Sequence, residues 1–222
     1  MGWYLGYIIV YFLIMFGIGF YYFLKVKNAD DYLIGGWSMG FWPIVGTVIS
    51  TWCGASVFIG TVGLGFQVGA SGYIRFSLAS VIFTLILILA FGRALRRQRL
   101  YTLADLFGQR FGVRAGIIPS LLSAVVYAIP TTAMQYLAMS TIWSACFGMD
   151  VGNALVLSAV LVLAFTVLGG LPGTIVTDAL QAVLIITGIV ILAVASVSLA
   201  GGMGPMLAAT PPEFLSPSGP YG

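Results

Sequence analysis

The stretch Gly169-Gly170-Leu171-Pro172-Gly173-Thr174-Ile175-Val176-Thr177-Asp178-Ala179-Leu180-Gln181 decides the reading of this chain. It joins two long apolar runs and carries an acid and a glutamine into the start of the second. A carboxylate at a membrane boundary is costly unless something charged visits it, so Asp178 is a functional-site candidate by default. Gln181 follows one helical turn later on a similar face, where its amide can hydrogen-bond a neighbouring helix. A structural role fits Asp178 equally well. With Thr177 it can cap the orphan amides of a helix N-terminus, where negative charge is favoured.

The runs on either side belong to a chain of 222 residues that is 60% hydrophobic and only 7% charged. Soluble domains are about 25% charged, so the composition excludes one and predicts an all-α polytopic membrane protein. A β-barrel is excluded too, because its strands are short and alternate residue by residue. The formal charge of +3 does not point to nucleic acid, since the basic residues sit between apolar runs, and no nucleic-acid partner is expected. The chain has no histidine, no paired acids and no metal-ligand spacing, so enzymatic chemistry is not expected. Cys53 and Cys146 both fall in apolar segments and give no support for a disulfide.

Six spans follow from hydropathy: Trp3–Leu24, Phe41–Val68, Tyr73–Phe91, Ala115–Phe147, Val151–Leu168 and Thr174–Leu199. The first is too long for a signal-peptide core and lacks a cleavage site, so it is retained. The second and fourth exceed the roughly 20 residues a bilayer needs and must tilt, break or extend into an interface. Gly54, Gly60, Gly63 and Gly65 interrupt the second; Pro130 is expected to kink the fourth. Lys25, Lys27 and the Arg-rich loop 93–114 fall on one side, and Arg75 alone on the other. The positive-inside rule then puts the N-terminus outside and the Arg-rich loop in the cytoplasm, in a cell (inner) membrane. Thr102 and Asp105 are placed to cap a short interfacial helix. Trp3, Trp37, Trp42 and Tyr73 read as interface anchors. Residues 201–222, rich in Gly and Pro, read as an irregular external loop.

The second span is the place to look for an ion. Its middle reads Ser50-Thr51-Trp52-Cys53-Gly54-Ala55-Ser56, small and polar for the centre of a membrane. Unwinding at Gly54 would free carbonyls that can coordinate a cation, and hydroxyl groups could complete the oxygen shell. Small residues also make close helix–helix contacts, and the span alone does not separate the two readings. Around Pro130 cluster Tyr127, Thr131, Thr132 and Gln135, either a wall of a substrate pathway or a set of interhelical hydrogen bonds.

Taken together, these residues make the chain resemble the sodium:solute symporter family, relatives of bacterial proline, pantothenate and sugar symporters. Three segments carry the resemblance. Asp31-Tyr32-Leu33-Ile34-Gly35-Gly36-Trp37-Ser38-Met39-Gly40 is similar to a D-x-x-x-G-G-R-S-x-G pattern, with Trp37 where Arg is usual. The second segment is the core from Ser50 to Gly63, and the third is Gly169-Gly170 with Thr177-Asp178 and Gln181, similar to G-G…T-D-x-x-Q. The resemblance implies a LeuT-type fold: a leading helix (1–25), then the first five-helix inverted repeat (41–200) with a broken second span. It implies sodium as coupling ion, held by carbonyls at Ser50 and Cys53, with Asp178 on the ion pathway. Trp52, Ser56 and Gln135 fall on the substrate pathway. Trp52 stands where proline symporters have Asp, which argues against proline as substrate.

The function so implied is the N-terminal half of a sodium-coupled symporter for a small organic solute. Family members are roughly twice as long, so a missing second repeat of the same protein is an expected partner alongside the lipid bilayer, and the chain reads as a fragment. The competing reading is a symporter-like sensory module of a signalling protein.

Overall fold

In hydrocarbon a backbone N–H or C=O has no water to bond, so an apolar chain crossing it must satisfy those groups within each segment. The computed structural model describes residues 2–219, and the regular secondary structure of that range is all helical. Met1 and residues 220–222, the end of the expected terminal loop, lie outside it. The helices are α1 (Gly2–Lys25), α2 (Ala29–Ile34), α3 (Phe41–Trp52), α4 (Ser56–Val68), α5 (Ala70–Gln98), α6 (Leu103–Phe111), α7 (Val113–Phe147), α8 (Val151–Leu199), α9 (Met203–Ala209) and α10 (Pro212–Leu215). Four of the described helices, α1, α5, α7 and α8, are long and apolar enough to cross a bilayer unaided. The chain divides into two compact units: Met1–Gly54 with Gln135–Ile189, and Ala55–Met134 with Val190–Gly222.

In the first unit the decisive feature is α8. Its 49 residues would make a rod about 74 Å long, over twice the roughly 30 Å of a hydrocarbon core. It is not one rod. At Gly170 the backbone leaves the helical region (φ 56°, ψ −164°), a conformation open essentially to glycine alone. Contacts with α1 show what happens there. Phe16 stacks edge-on against Phe165, and a Cβ at Gly19 would touch Leu168, so α1 and the first part of α8 ascend together. Tyr22 meets Gly173, while Tyr11 and Met15 meet Gln181, so α1 and the second part run oppositely. The chain therefore turns back at Gly170, and the two spans expected around Gly169–Gly173 are both present.

Close backbone approach sets this packing. A Cβ on Gly19 would lie 3.2 Å from the Phe165 carbonyl, and one on Gly46 only 2.5 Å from Ala179 Cα. Lipid is as apolar as leucine, so contact at this range, and not expulsion from water, holds such helices together. Met15, Ser140, Ala154 and Ser158 are fully buried. Ahead of α3, α2 is capped by Asn28, whose Oδ1 accepts from the Asp31 N–H at 2.8 Å, and Gly35, Gly36 and Trp37 all take positive φ. The chain from Ala29 to Trp37 stands at 101° to α3.

Several expectations are corrected. The second span breaks only at Cys53–Gly54; Gly60, Gly63 and Gly65 lie inside α4. Glycine lowers the cost of a break without imposing one. The fourth span stays helical through Pro130, because a π-helical segment, Ser123–Ala128, widens the turn just before the missing N–H. Arg93, Arg96 and Arg97 lie on α5 and not in a loop; the helix ends at Arg99, in the left-handed region. Long arginine side chains can reach a polar interface from a helix that continues beneath them.

In the second unit the segment after Leu199 is not an irregular loop. It folds into α9 and α10, and Arg75 donates from Nη2 to the Ser218 carbonyl at 2.8 Å. The Phe214 carbonyl occupies the place a Cβ on Gly69 would take. The expected cap of α6 is present: Asp105 Oδ2 accepts from the Thr102 N–H at 2.8 Å, completing a capping box.

Gly170→Ala is expected to destabilise the first unit. The backbone strain costs about 1–3 kcal/mol, and the new methyl would lie 2.6 Å from the Tyr32 ring. Thermal unfolding in detergent checks this; an unchanged midpoint would mean the turn does not need a glycine.

Candidate functional site

Hydroxyl groups in membrane helices usually turn back on their own backbone. Ser120, Thr141, Ser158, Thr174 and Ser196 each donate to the carbonyl four residues earlier, and Ser140 to the one three earlier. Thr47 and Ser50, one turn apart on α3, behave differently. Thr47 Oγ1 donates across to Asp178 Oδ2, and Ser50 Oγ donates to Gln181 Oε1 at 3.2 Å. The acceptors are likewise one turn apart on α8. Both pairs rise in the same order, so α3 and the second part of α8 run in the same direction, as second and sixth spans must. Gly46 makes the contact possible by letting α3 settle onto Ala179.

Above this paired face the helix opens. The last α3 ladder bond runs from the Cys53 N–H to the Ile49 carbonyl at 2.9 Å. Cys53 then adopts φ −84°, ψ 47°, outside the helical region. Carbonyls of a final helical turn have no intrahelical donor, and here that turn starts at Ser50. The Gln135 amide of α7 stands against the opening: its nitrogen occupies the space a Cβ on Gly54 would need. Any larger residue at position 54 would push that amide away from the break.

Ser50, Trp52, Cys53, Gln135 and Asp178 thus all fall in the first unit. Ser50 and Cys53 bracket the opened turn, Gln135 covers it, and Trp52 is 42% exposed. Asp178 bonds Thr47, six residues before Cys53 and so about 9 Å away along the helix axis. The capping reading of Thr177 and Asp178 fails. The helix resumes right after Gly170, so both lie well inside it, and Thr177 donates to the Thr174 carbonyl instead. Ser56 opens α4 and belongs to the second unit.

Three participants escaped the sequence reading. Thr47 sits in an apolar run whose register against α8 no local pattern reveals. Tyr11 and Met15 of α1 both receive the Gln181 amide, Nε2 donating to the Tyr11 hydroxyl at 2.8 Å and to Met15 Sδ at 3.7 Å. A mid-span tyrosine was the available signal, since a buried phenol needs a partner.

The model of the sodium:solute symporter family matches residues 32–210. The sodium/pantothenate symporter of Haemophilus influenzae is 25% identical over 225 residues, covering 97% of this chain and 46% of the relative. The sodium/glucose cotransporter 1 of Oryctolagus cuniculus is 27% identical over 189 residues, covering 83% and 28%. Among solved structures, the substrate-bound outward-open state of a Na+-coupled sialic acid symporter matches with a TM-score of 0.67 and 26% identity, covering 79% of this chain and 36% of that one. The chain spans less than half the length of these relatives.

The cross-helix pairs should be energetically coupled. Thr47→Val and Asp178→Ala are each expected to destabilise the protein, Thr47→Val by about 1–3 kcal/mol. Their combination should cost less than the sum. Additivity within about 0.5 kcal/mol in unfolding measurements would mean that the pair contributes nothing.

Proposed function

The chain belongs to the sodium:solute symporter family, and on that premise we propose that it is the N-terminal half of a sodium-coupled secondary transporter for a small organic solute. It is an integral membrane protein with a LeuT-like fold, and its relatives are transporters, not enzymes. In this reading α1 is the leading helix and residues 41–200 form the first five-helix repeat. Residues 201–222 form an external segment. The N-terminus lies outside the cell membrane and the basic region 93–114 in the cytoplasm.

The observation that carries the reading is the break at Cys53–Gly54 in a small, polar span held against Asp178 and Gln181. A broken helix offers carbonyl oxygens aimed into one place, and such oxygens suit a desolvated sodium ion. We assign Ser50 and Cys53 as carbonyl ligands. Helices corresponding to the part of the relatives beyond this chain would supply the remaining oxygens. Trp52 and Gln135 line the solute path within the first unit. Asp178 stands off from the break and serves the ion's route. Coupling then follows from linkage: sodium at the break favours the outward-open state, and that state binds solute better. In the complete transporter one group of helices would rock against the other to carry both across.

The test is radioactive sodium binding and exchange with the complete protein in liposomes. Cys53→Pro removes the last ladder bond and should weaken sodium binding about tenfold, the equivalent of roughly one hydrogen bond. Asp178→Ala should slow sodium exchange across the membrane. If binding and exchange match the unaltered protein in both variants, the assigned ion path is wrong.

A further inference from the structure

Gln181 sits at the centre of a relay that begins on α1, the helix outside the proposed repeat. Its Nε2 faces Tyr11 and Met15, and its Oε1 faces Ser50. A thioether sulfur can only accept, so Met15 Sδ calls for the NH2 end of the amide on its side. The Tyr11 hydroxyl, able to donate as well as accept, accepts from that end at 2.8 Å and ties the amide to α1, while the sulfur at 3.7 Å sets its direction. With Nε2 fixed, Oε1 must point at α3, and the Ser50 hydroxyl must donate to it.

That bond matters at the break. Left alone, the Ser50 hydroxyl would bond back to the Gly46 or Thr47 carbonyl of α3, as other span hydroxyls do on their own helices. Donating to Oε1 instead, it ties Ser50 to α8 at the residue where the opened turn begins, and Tyr11 holds the amide that receives it.

We infer that Tyr11 is a positioning residue: through Gln181 it holds Ser50, and with it the start of the opened turn, against α8 and so sets sodium affinity at the broken span. The inference rests on the sodium reading above and extends it to a helix that contributes no ligand.

The experiment measures radioactive sodium binding to the complete purified protein. Tyr11→Phe keeps the ring and removes the acceptor. The sodium concentration for half-saturation should rise about 3- to 10-fold, the loss of one hydrogen bond's worth of orientation. Ser50→Ala should give a similar rise. Tyr11→Phe added to Ser50→Ala should then change nothing further, which a general loss of packing would not reproduce. If Tyr11→Phe does not accumulate as folded protein, Gln181→Met removes the same relay at similar volume, and its shift should also vanish in the Ser50→Ala background. Unchanged affinity in Tyr11→Phe, or additive shifts in the double variant, would overturn the positioning role and leave the sodium site standing. Absence of sodium binding by the unaltered protein would overturn both.

Discussion

The constraint behind this structure is that a helix cannot be opened inside hydrocarbon unless protein covers the opening. Backbone groups released there find no water, and each unpaired one costs several kcal/mol in lipid. The break at Cys53–Gly54 is therefore affordable only because α3 is held against α8 just below it and the Gln135 amide stands over it. The two cross-helix pairs, Thr47 with Asp178 and Ser50 with Gln181, are where the hydroxyls of the described spans leave their own helix for a side chain on a distant one within the first unit.

The turn at Gly170 serves the same end. Two helices that pair in ascending order must cross the membrane in the same sense, so the first part of α8, which runs the other way, has to reverse before the segment bearing Asp178. Gly170 supplies that reversal with almost no loop, and Tyr32 closes over it, its hydroxyl donating to the Val167 carbonyl at 2.8 Å. Gly19, Gly46 and Gly173 then let the backbones approach to contact distance. Polar pairing gives these contacts their register, and small residues give them their depth.

Much of this was legible in the sequence, for identifiable reasons. The spans follow from apolar runs, because hydropathy is a local property. Asp178 and Gln181 stood out because polar groups one turn apart in an apolar helix need a partner. The partner itself did not: Thr47 looks like any other span threonine until the register of α3 on α8 is known. Four glycines marked the second span as weak, but only tertiary packing selects the one that opens. Pro130 and the arginines after Phe91 misled because local rules describe an isolated helix. A π-helical turn absorbs the proline, and side-chain reach lets a helix run on beneath its charges. The capping role of Asp178 failed for a related reason, since Gly170, and not the Thr177–Asp178 pair, marks where the helix resumes.

The distance between the acid and the break bears on how the proposed site would work. An ionised carboxylate level with Thr47 would lie about 4.5 to 9 Å along the axis from an ion held by Ser50 and Cys53 and would attract it by about 2 to 4 kcal/mol at an effective dielectric of about 20, against about 5 kcal/mol at a contact distance of 3 Å. Conduction and coupling both require an ion to leave as readily as it enters. In the proposed site, neutral oxygens with an acid within two turns would meet that need: the charge would draw the cation along the helix without trapping it. The Thr47 hydroxyl strengthens the arrangement by tying the carboxylate to α3 itself, so that acid and break move together if that helix tilts. A carboxylate at position 52, where this chain has Trp52, would place the charge beside the opened turn and hold the ion far more tightly.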